Sequence, residues 1–217
     1  VDIEGAIGRY LAEPLAARRT QPAADLSAMD GYAVAPGDSA GPWRVIGESA
    51  AGHRFAGTLA PGEAVRISTG AELPAGAGSV ILQEDLAREG DTIMLTGTPP
   101  SPEDKHIRRR GMDFAQDGTV MPAGQGIGAA QVGLAIAAGH RHLPVRRKPR
   151  IAVIDSGDEL ALDCENCPPH QIPASNGAML AAMAATVPCE IARLGPVGDD
   201  LAALAAWNAI NGEAIFE

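Results

Sequence analysis

Apolar residues recur every four positions at the start of the chain, at Ile3, Ile7, Leu11 and Leu15. This spacing keeps one helix face apolar and predicts an amphipathic helix over Ile3–Leu15, with Pro14 marking its end and a loop through Ala28. From Trp43 to about Gly97 the period shortens. Trp43-Arg44-Val45-Ile46, Ala64-Val65-Arg66-Ile67, Ser79-Val80-Ile81-Leu82 and Thr92-Ile93-Met94-Leu95 are separated by Gly and Pro, which predicts a small all-β module. Pro99-Pro100-Ser101-Pro102 reads as a linker or crossing segment. Gln125–Ala138 reads as an Ala-rich helix with Gly139 placed as its left-handed cap.

Arg150-Ile151-Ala152-Val153-Ile154 is a continuous apolar run ending in Asp155-Ser156-Gly157-Asp158, the pattern of a buried parallel strand and the loop after it. A helix over 176–186, a strand over 189–194 and a helix over 199–210 are expected next, with Ala214-Ile215-Phe216 a candidate third strand. This β-α-β-α order opens an open α/β sheet. Two parallel strands bury their faces poorly, so this last domain is expected to be incomplete or completed by something else.

Composition narrows the classes. The formal net charge is −10 and aromatics are 3%, a poor basis for nucleic-acid binding, which wants a basic field and stacking faces. The core must therefore be built from Ala, Val, Ile and Leu. No apolar run reaches the ~18 residues of a membrane span. Val1-Asp2-Ile3-Glu4 has neither part of a signal peptide, and without an initiator Met the chain is expected to begin inside a longer protein. Three Cys are too sparse for a disulfide scaffold, so a cytoplasmic protein is expected. Cys164-Glu165-Asn166-Cys167 has neither the second close pair of a zinc site nor a thioredoxin-like setting.

Five segments carry candidate chemistry. Ser27-Ala28-Met29-Asp30-Gly31-Tyr32-Ala33-Val34 presents a carboxylate at the edge of a strand, or is simply an Asp-Gly turn. Arg66-Ile67-Ser68-Thr69-Gly70-Ala71-Glu72-Leu73-Pro74 offers hydroxyls and backbone N–H groups that cradle an oxyanion, or turns between strands. Arg108, Arg109 and Arg110 are anomalous in an acidic chain, and guanidinium forks suit tetrahedral oxyanions; the alternative is a solvated charged face. Asp113 nearby suits a hard cation such as Mg²⁺. Asp158 and Glu159 follow one strand and Asp199 and Asp200 follow the next, at strand ends where open α/β sheets bind ligands. Capping of the following helix is the plainer role for Asp199 and Asp200.

Taken in order, these blocks resemble the molybdopterin molybdenumtransferases (MoeA and the gephyrin E domain). The blocks are Ser27–Val34, Arg66–Ala71 with Leu73-Pro74, Ile107–Asp113 and Ser156–Leu160. The resemblance implies insertion of molybdate into adenylylated molybdopterin, with Mg²⁺-dependent release of AMP. It implies catalytic roles for Asp30, Thr69, Asp113 and Glu159. Substrate binding would fall to Arg108, Arg109, Arg110, Ser175 and Asn176, and Mg²⁺ to Asp158, Asp199 and Asp200. It also implies a homodimer and contact with the molybdopterin adenylyltransferase. The implied fold is a multidomain α/β plus β protein. Residues 1–28 plus 118–148 would form an elongated split domain, 29–117 an inserted β module, and 149–217 the start of an incomplete, Rossmann-like molybdopterin-binding domain. The sequence departs from the family at Ser156, where the family has Thr, and at Met112, where it has Glu. The family's Gly-Gly-Val-Ser-Val-Gly loop, its Pro-Gly-Lys-Pro segment and its C-terminal β domain are not found, so the expectation is a fragment of a longer enzyme. The alternative is a non-catalytic pterin-binding or scaffold module.

Overall fold

The computed structural model describes residues 1–38, 40–202 and 205. In chain order the elements are α1 (Ile3–Ala6), β1 (Leu15–Ala16), β2 (Leu26–Ser27), β3 (Gly31–Val34), β4 (Trp43–Ser49), β5 (Glu63–Ile67) and β6 (Ser79–Leu82). These are followed by β7 (Leu86–Glu89), β8 (Thr92–Leu95), β9 (Ile107–Arg108), β10 (Thr119–Met121) and α2 (Ala129–Ala137). The last are β11 (Arg150–Ser156), β12 (Leu160–Ala161), β13 (Ile172–Pro173), α3 (Asn176–Ala184) and β14 (Glu190–Val197). Among the described residues, strands outnumber helices. It divides into two compact units. One comprises 14–121 and 133–141; the other comprises 1–13, 122–132 and 142–217.

The unit of 14–121 and 133–141 is organised by a six-stranded sheet of order β6-β3-β5-β4-β8-β7. Strand β3, next to the edge strand β6, lies antiparallel between β5 and β6, and all four of its residues are buried. Alternation along β3 sends its side chains to opposite faces. Tyr32 and Val34 join Trp43, Ala64, Ile81 and Ile93 in one cluster. Ala33 joins Ile67, Ala71, Val80 and Ile107 in another. The four alternating runs read from the sequence are all strands here. β4 and β5 run parallel, which the connecting residues 50–62 permit, since such a crossover needs about a dozen residues. In place of the loop expected through Ala28, Leu15 pairs with Met121 and Leu26 with Arg108.

In the other unit β11 and β14 are parallel, with α3 between them in sequence, and β12 pairs in parallel with β13. The strand expected over 189–194 is longer, and the helix expected over 176–186 is shorter. The expected helix 199–210 falls mostly, and the Ala214–Phe216 strand wholly, outside the described residues.

Two predicted helices are corrected. The Ile3–Leu15 helix ends at Ala6, because Ile7 turns to an extended ψ of 133°. The following backbone pairs across the chain instead: Gly8 N–H donates to Ile127 C=O, Leu11 N–H to Gln125 C=O and Ala12 N–H to Pro144 C=O, each at 2.9 Å. Leu11 and Leu15 are buried, yet Ile7 is 58% exposed, so the four-residue recurrence describes no single helix face. The Gln125–Ala138 helix starts late, at Ala129, because residues 125–127 are engaged in that same pairing. Gly139, at φ +90°, ends it in the predicted left-handed conformation.

Candidate functional site

Antiparallel pairing places the start of β3 at the same sheet end as the finishes of β5 and β6. Asp30 immediately precedes β3, and Thr69 lies two residues past β5. Asp30 Oδ1 accepts hydrogen bonds from Thr69 N–H at 2.7 Å and from Thr69 Oγ1 at 3.0 Å. The turn beneath is tied by Ser27, whose hydroxyl donates to Met29 C=O at 2.6 Å. Ser27 C=O accepts from Gly70 N–H at 2.8 Å, and Ser27 N–H donates to Ala71 C=O at 2.9 Å. The Thr69 N–H, then the Thr69 hydroxyl, hold the Asp30 carboxyl below the usual carboxylate range. Asp30 and Thr69 are exposed, and Asp30 Oδ2 takes no protein hydrogen bond among the described residues. The product is a fixed, ionised carboxylate with one free oxygen.

The same bonds engage the backbone donors of the 66–74 segment. Thr69 N–H goes to Asp30, Gly70 N–H to Ser27 and Ala71 N–H to Ser68 C=O, so these donors are consumed within the protein. In this conformation the segment is a turn that orients Asp30.

Gly31 explains the Asp-Gly pair. A Cβ on it would fall against the carbonyl oxygen of Ile81 in the neighbouring strand. Gly31→Ala is therefore expected to lower stability by about 1–3 kcal/mol, because the close approach of β3 and β6 leaves no slack. Urea denaturation measures the change, and an unchanged midpoint would contradict the close approach.

The arginine tract is turned onto the protein's own carboxylates. Arg108 Nη2 donates to both oxygens of Asp113, at 2.8 and 3.0 Å. Arg109 bridges Asp25 at 2.8 Å and Asp104 at 2.9 Å. Arg110 N–H donates to Asp25 Oδ1 at 2.7 Å, and its Nε donates to Ala23 C=O at 3.1 Å. That Arg110 N–H, with Arg109, keeps the Asp25 carboxyl below its usual range, and Asp25 and Asp104 in turn hold the Arg109 proton more tightly. The sequence reading missed Asp25 and Asp104. The available signal was charge balance, since three consecutive cations in an acidic chain call for nearby carboxylates.

In the second unit, parallel pairing of β11 with β14 brings their carboxyl ends together. Ser156 Oγ donates to Asp199 Oδ1 at 3.3 Å, and Asp199 N–H donates to Asp158 Oδ1 at 3.3 Å. The two acidic strand-end loops therefore face each other. A cavity of about 410 Å³ opens beside them, lined by Gly157, Asp158, Asp163, Asn166, Gln171 and Gly198 among others. Gln171 Nε2 holds Asp158 C=O at 3.0 Å. Glu159 and Asp200 are exposed. Ser175 caps α3 by position, without a side-chain hydrogen bond, and Asn176 opens the helix. Among the described residues no group of three or more His, Cys, Asp or Glu is placed to hold a metal ion.

Comparison with known proteins extends these observations. Residues 1–139 match the family described as the MoeA N-terminal region (domain I and II). The chain is 33% identical to a molybdopterin molybdenumtransferase of Nostoc sp., over 94% of this chain and 48% of that protein. It is 36% identical to molybdopterin molybdenumtransferase 2 of Mycobacterium tuberculosis, over 95% of this chain and 52% of that one. The crystal structure of a molybdopterin biosynthesis MoeA protein from Pyrococcus horikoshii superposes with a TM-score of 0.89 at 27% identity, covering 99% of this chain and 58% of that one. The chain spans about half the length of the curated relatives it matches.

Proposed function

The chain belongs to the MoeA family, and from that premise we propose that it takes part in molybdenum cofactor biosynthesis by inserting molybdate into adenylylated molybdopterin. The single observation that carries the reading is the exposed Asp30 carboxylate, fixed by Thr69 and left with one open oxygen. Its depressed pKa makes Asp30 a permanent anion at neutral pH rather than a proton shuttle. Its work is to accept a donor of the pterin or to hold a cation against it. Thr69 is the positioning partner that keeps Oδ1 occupied and aims Oδ2.

Mg²⁺ fits the donor set of the second unit. It binds through one or two carboxylates, substrate phosphates and water, and needs no cage of three protein ligands. Asp158 and Asp199 would supply the carboxylates, with Glu159 and Asp200 in the same loops, and a bound ion would neutralise charge on a departing phosphate. Ser175 and Asn176 offer hydrogen bonds to substrate. Arg108 holds Asp113, so these two act through the shape of their loop unless substrate displaces the pair; Arg109 and Arg110 brace the same loop. A cytoplasmic homodimer, in contact with the enzyme that adenylylates the pterin, completes the proposal.

The test is to incubate the purified protein with adenylylated molybdopterin and Mg²⁺, with and without molybdate, and to follow AMP. Molybdate-dependent AMP release is the expected result. Pterin binding with no AMP release in either arm would replace insertion by the role of a non-catalytic binding module.

A further inference from the structure

A second cavity, of about 240 Å³, lies within the unit of 1–13, 122–132 and 142–217, and its chemistry is opposite to that of the acidic loops. Tyr10, Val187 and Pro188 contribute apolar surface to it, and Arg9, Arg146, Arg147 and Lys148 line it as well. Arg9 with Arg146, Arg147, Lys148 and Arg150 makes five of the chain's 17 Lys and Arg. Among the described residues none of Arg9, Arg146, Arg147 and Lys148 pairs with a carboxylate. Arg108 and Arg109, in contrast, are paired with aspartates.

The arrangement is also pre-set. Arg146 N–H donates to Tyr10 C=O at 2.8 Å, which ties the basic segment to the segment carrying Tyr10. Arg9 donates from Nε at 3.1 Å and from Nη2 at 2.6 Å to Arg146 C=O. A guanidinium has five N–H donors in a fixed fork, so three remain for a ligand, and the side chain that presents them is already ordered. Tyr10 is 48% exposed and Val187 is 52% exposed, so the apolar walls are open to an incoming ring.

We propose that this cavity binds a small aromatic phosphate, with a flat ring against Tyr10, Val187 and Pro188 and the phosphate held by Arg9, Arg147 and Lys148. The volume accepts one ring or a fused pair and is below that of a drug-sized pocket, about 300 Å³ or more. Apolar walls alone would suit a neutral ring, and cations alone would suit free phosphate. The combination selects a ligand carrying both. The cavity shares no residue with the Asp30, Asp113 or Asp158 sites, and the inference does not depend on the molybdate reading.

Calorimetric titration of the purified protein at low salt with phenyl phosphate, phenol and inorganic phosphate tests the site. Phenyl phosphate is expected to bind at least about tenfold more tightly than either of the others and to weaken as salt screens the cations. Arg147→Glu with Lys148→Glu is expected to weaken phenyl phosphate by about tenfold or more. Tyr10→Ala is expected to weaken it while leaving inorganic phosphate unchanged. Thermal unfolding confirms that each variant is folded. The proposal is overturned if phenyl phosphate binds no better than inorganic phosphate. It is equally overturned if the folded Arg147/Lys148 and Tyr10 variants bind phenyl phosphate as the parent does.

Discussion

Asp30→Ala is expected to lower molybdate-dependent AMP release by about 10²-fold or more, the scale on which removal of one pre-positioned polar group acts in a catalytic site. The variant is expected to unfold at the parent's temperature. Asp30 is exposed, and the backbone that carries it is held by other bonds: Ser27 to Gly70 and Ala71, and Asp30's own C=O accepting from Gln83 N–H at 3.3 Å. Asp30→Asn separates charge from shape. It keeps an oxygen for Thr69 but loses the anion, so a loss equal to that of Ala assigns the effect to charge. Activity is expected to stay flat with respect to this group throughout the neutral range. The carboxyl's pKa is depressed, so its charge is lost only as pH falls below the ordinary carboxylate range. A variant with full activity would remove Asp30 from the site.

Trp43→Ala is expected to cost about 3–5 kcal/mol, enough to leave much of the chain unfolded at physiological temperature. Trp43 is 1% exposed at the start of β4 and packs with Tyr32, Val34, Ala64, Ile81 and Ile93. Its indole Nε1–H also donates to Asp38 C=O at 3.1 Å. Trp43→Phe keeps most of the volume and gives up that bond, and is expected to cost about 1–2 kcal/mol. Urea denaturation of both variants reads the two contributions, and a midpoint for Trp43→Ala within error of the parent would show that this cluster is not the core of its sheet.

How much of this was legible in the sequence depends on the range of the forces involved. Val65, Val80, Ile81 and Ile93 announce their strands because alternation and turn residues act locally. The parallel end of β11 and β14 was equally accessible, since an apolar run followed by an acidic loop, twice, puts both loops on one edge. The Ile3–Leu15 helix was misread because its spacing is periodic while its hydrogen-bond partners, at Gln125, Ile127 and Pro144, lie more than a hundred residues away. The same distance hid the partners of the arginines, with Arg109 reaching Asp25 across 84 positions. Asp30 stands out in the sequence only through the order of the motifs around it. Nothing near it in sequence announces Thr69 as the group that fixes its charge.

The bond between Asp30 and Thr69 closes a loop of 39 positions, and the one from Arg110 to Asp25 closes a loop of 85. Loop closures of this length form after local turns, because chain entropy must be lost before the contact returns anything. The carboxylate therefore acquires its orientation late, once β3, β5 and β6 have met. Chain continuity brings the two residues together, and the pairing of β3 with β5 and β6 then holds them, so the contact is long-range in sequence and local in the sheet.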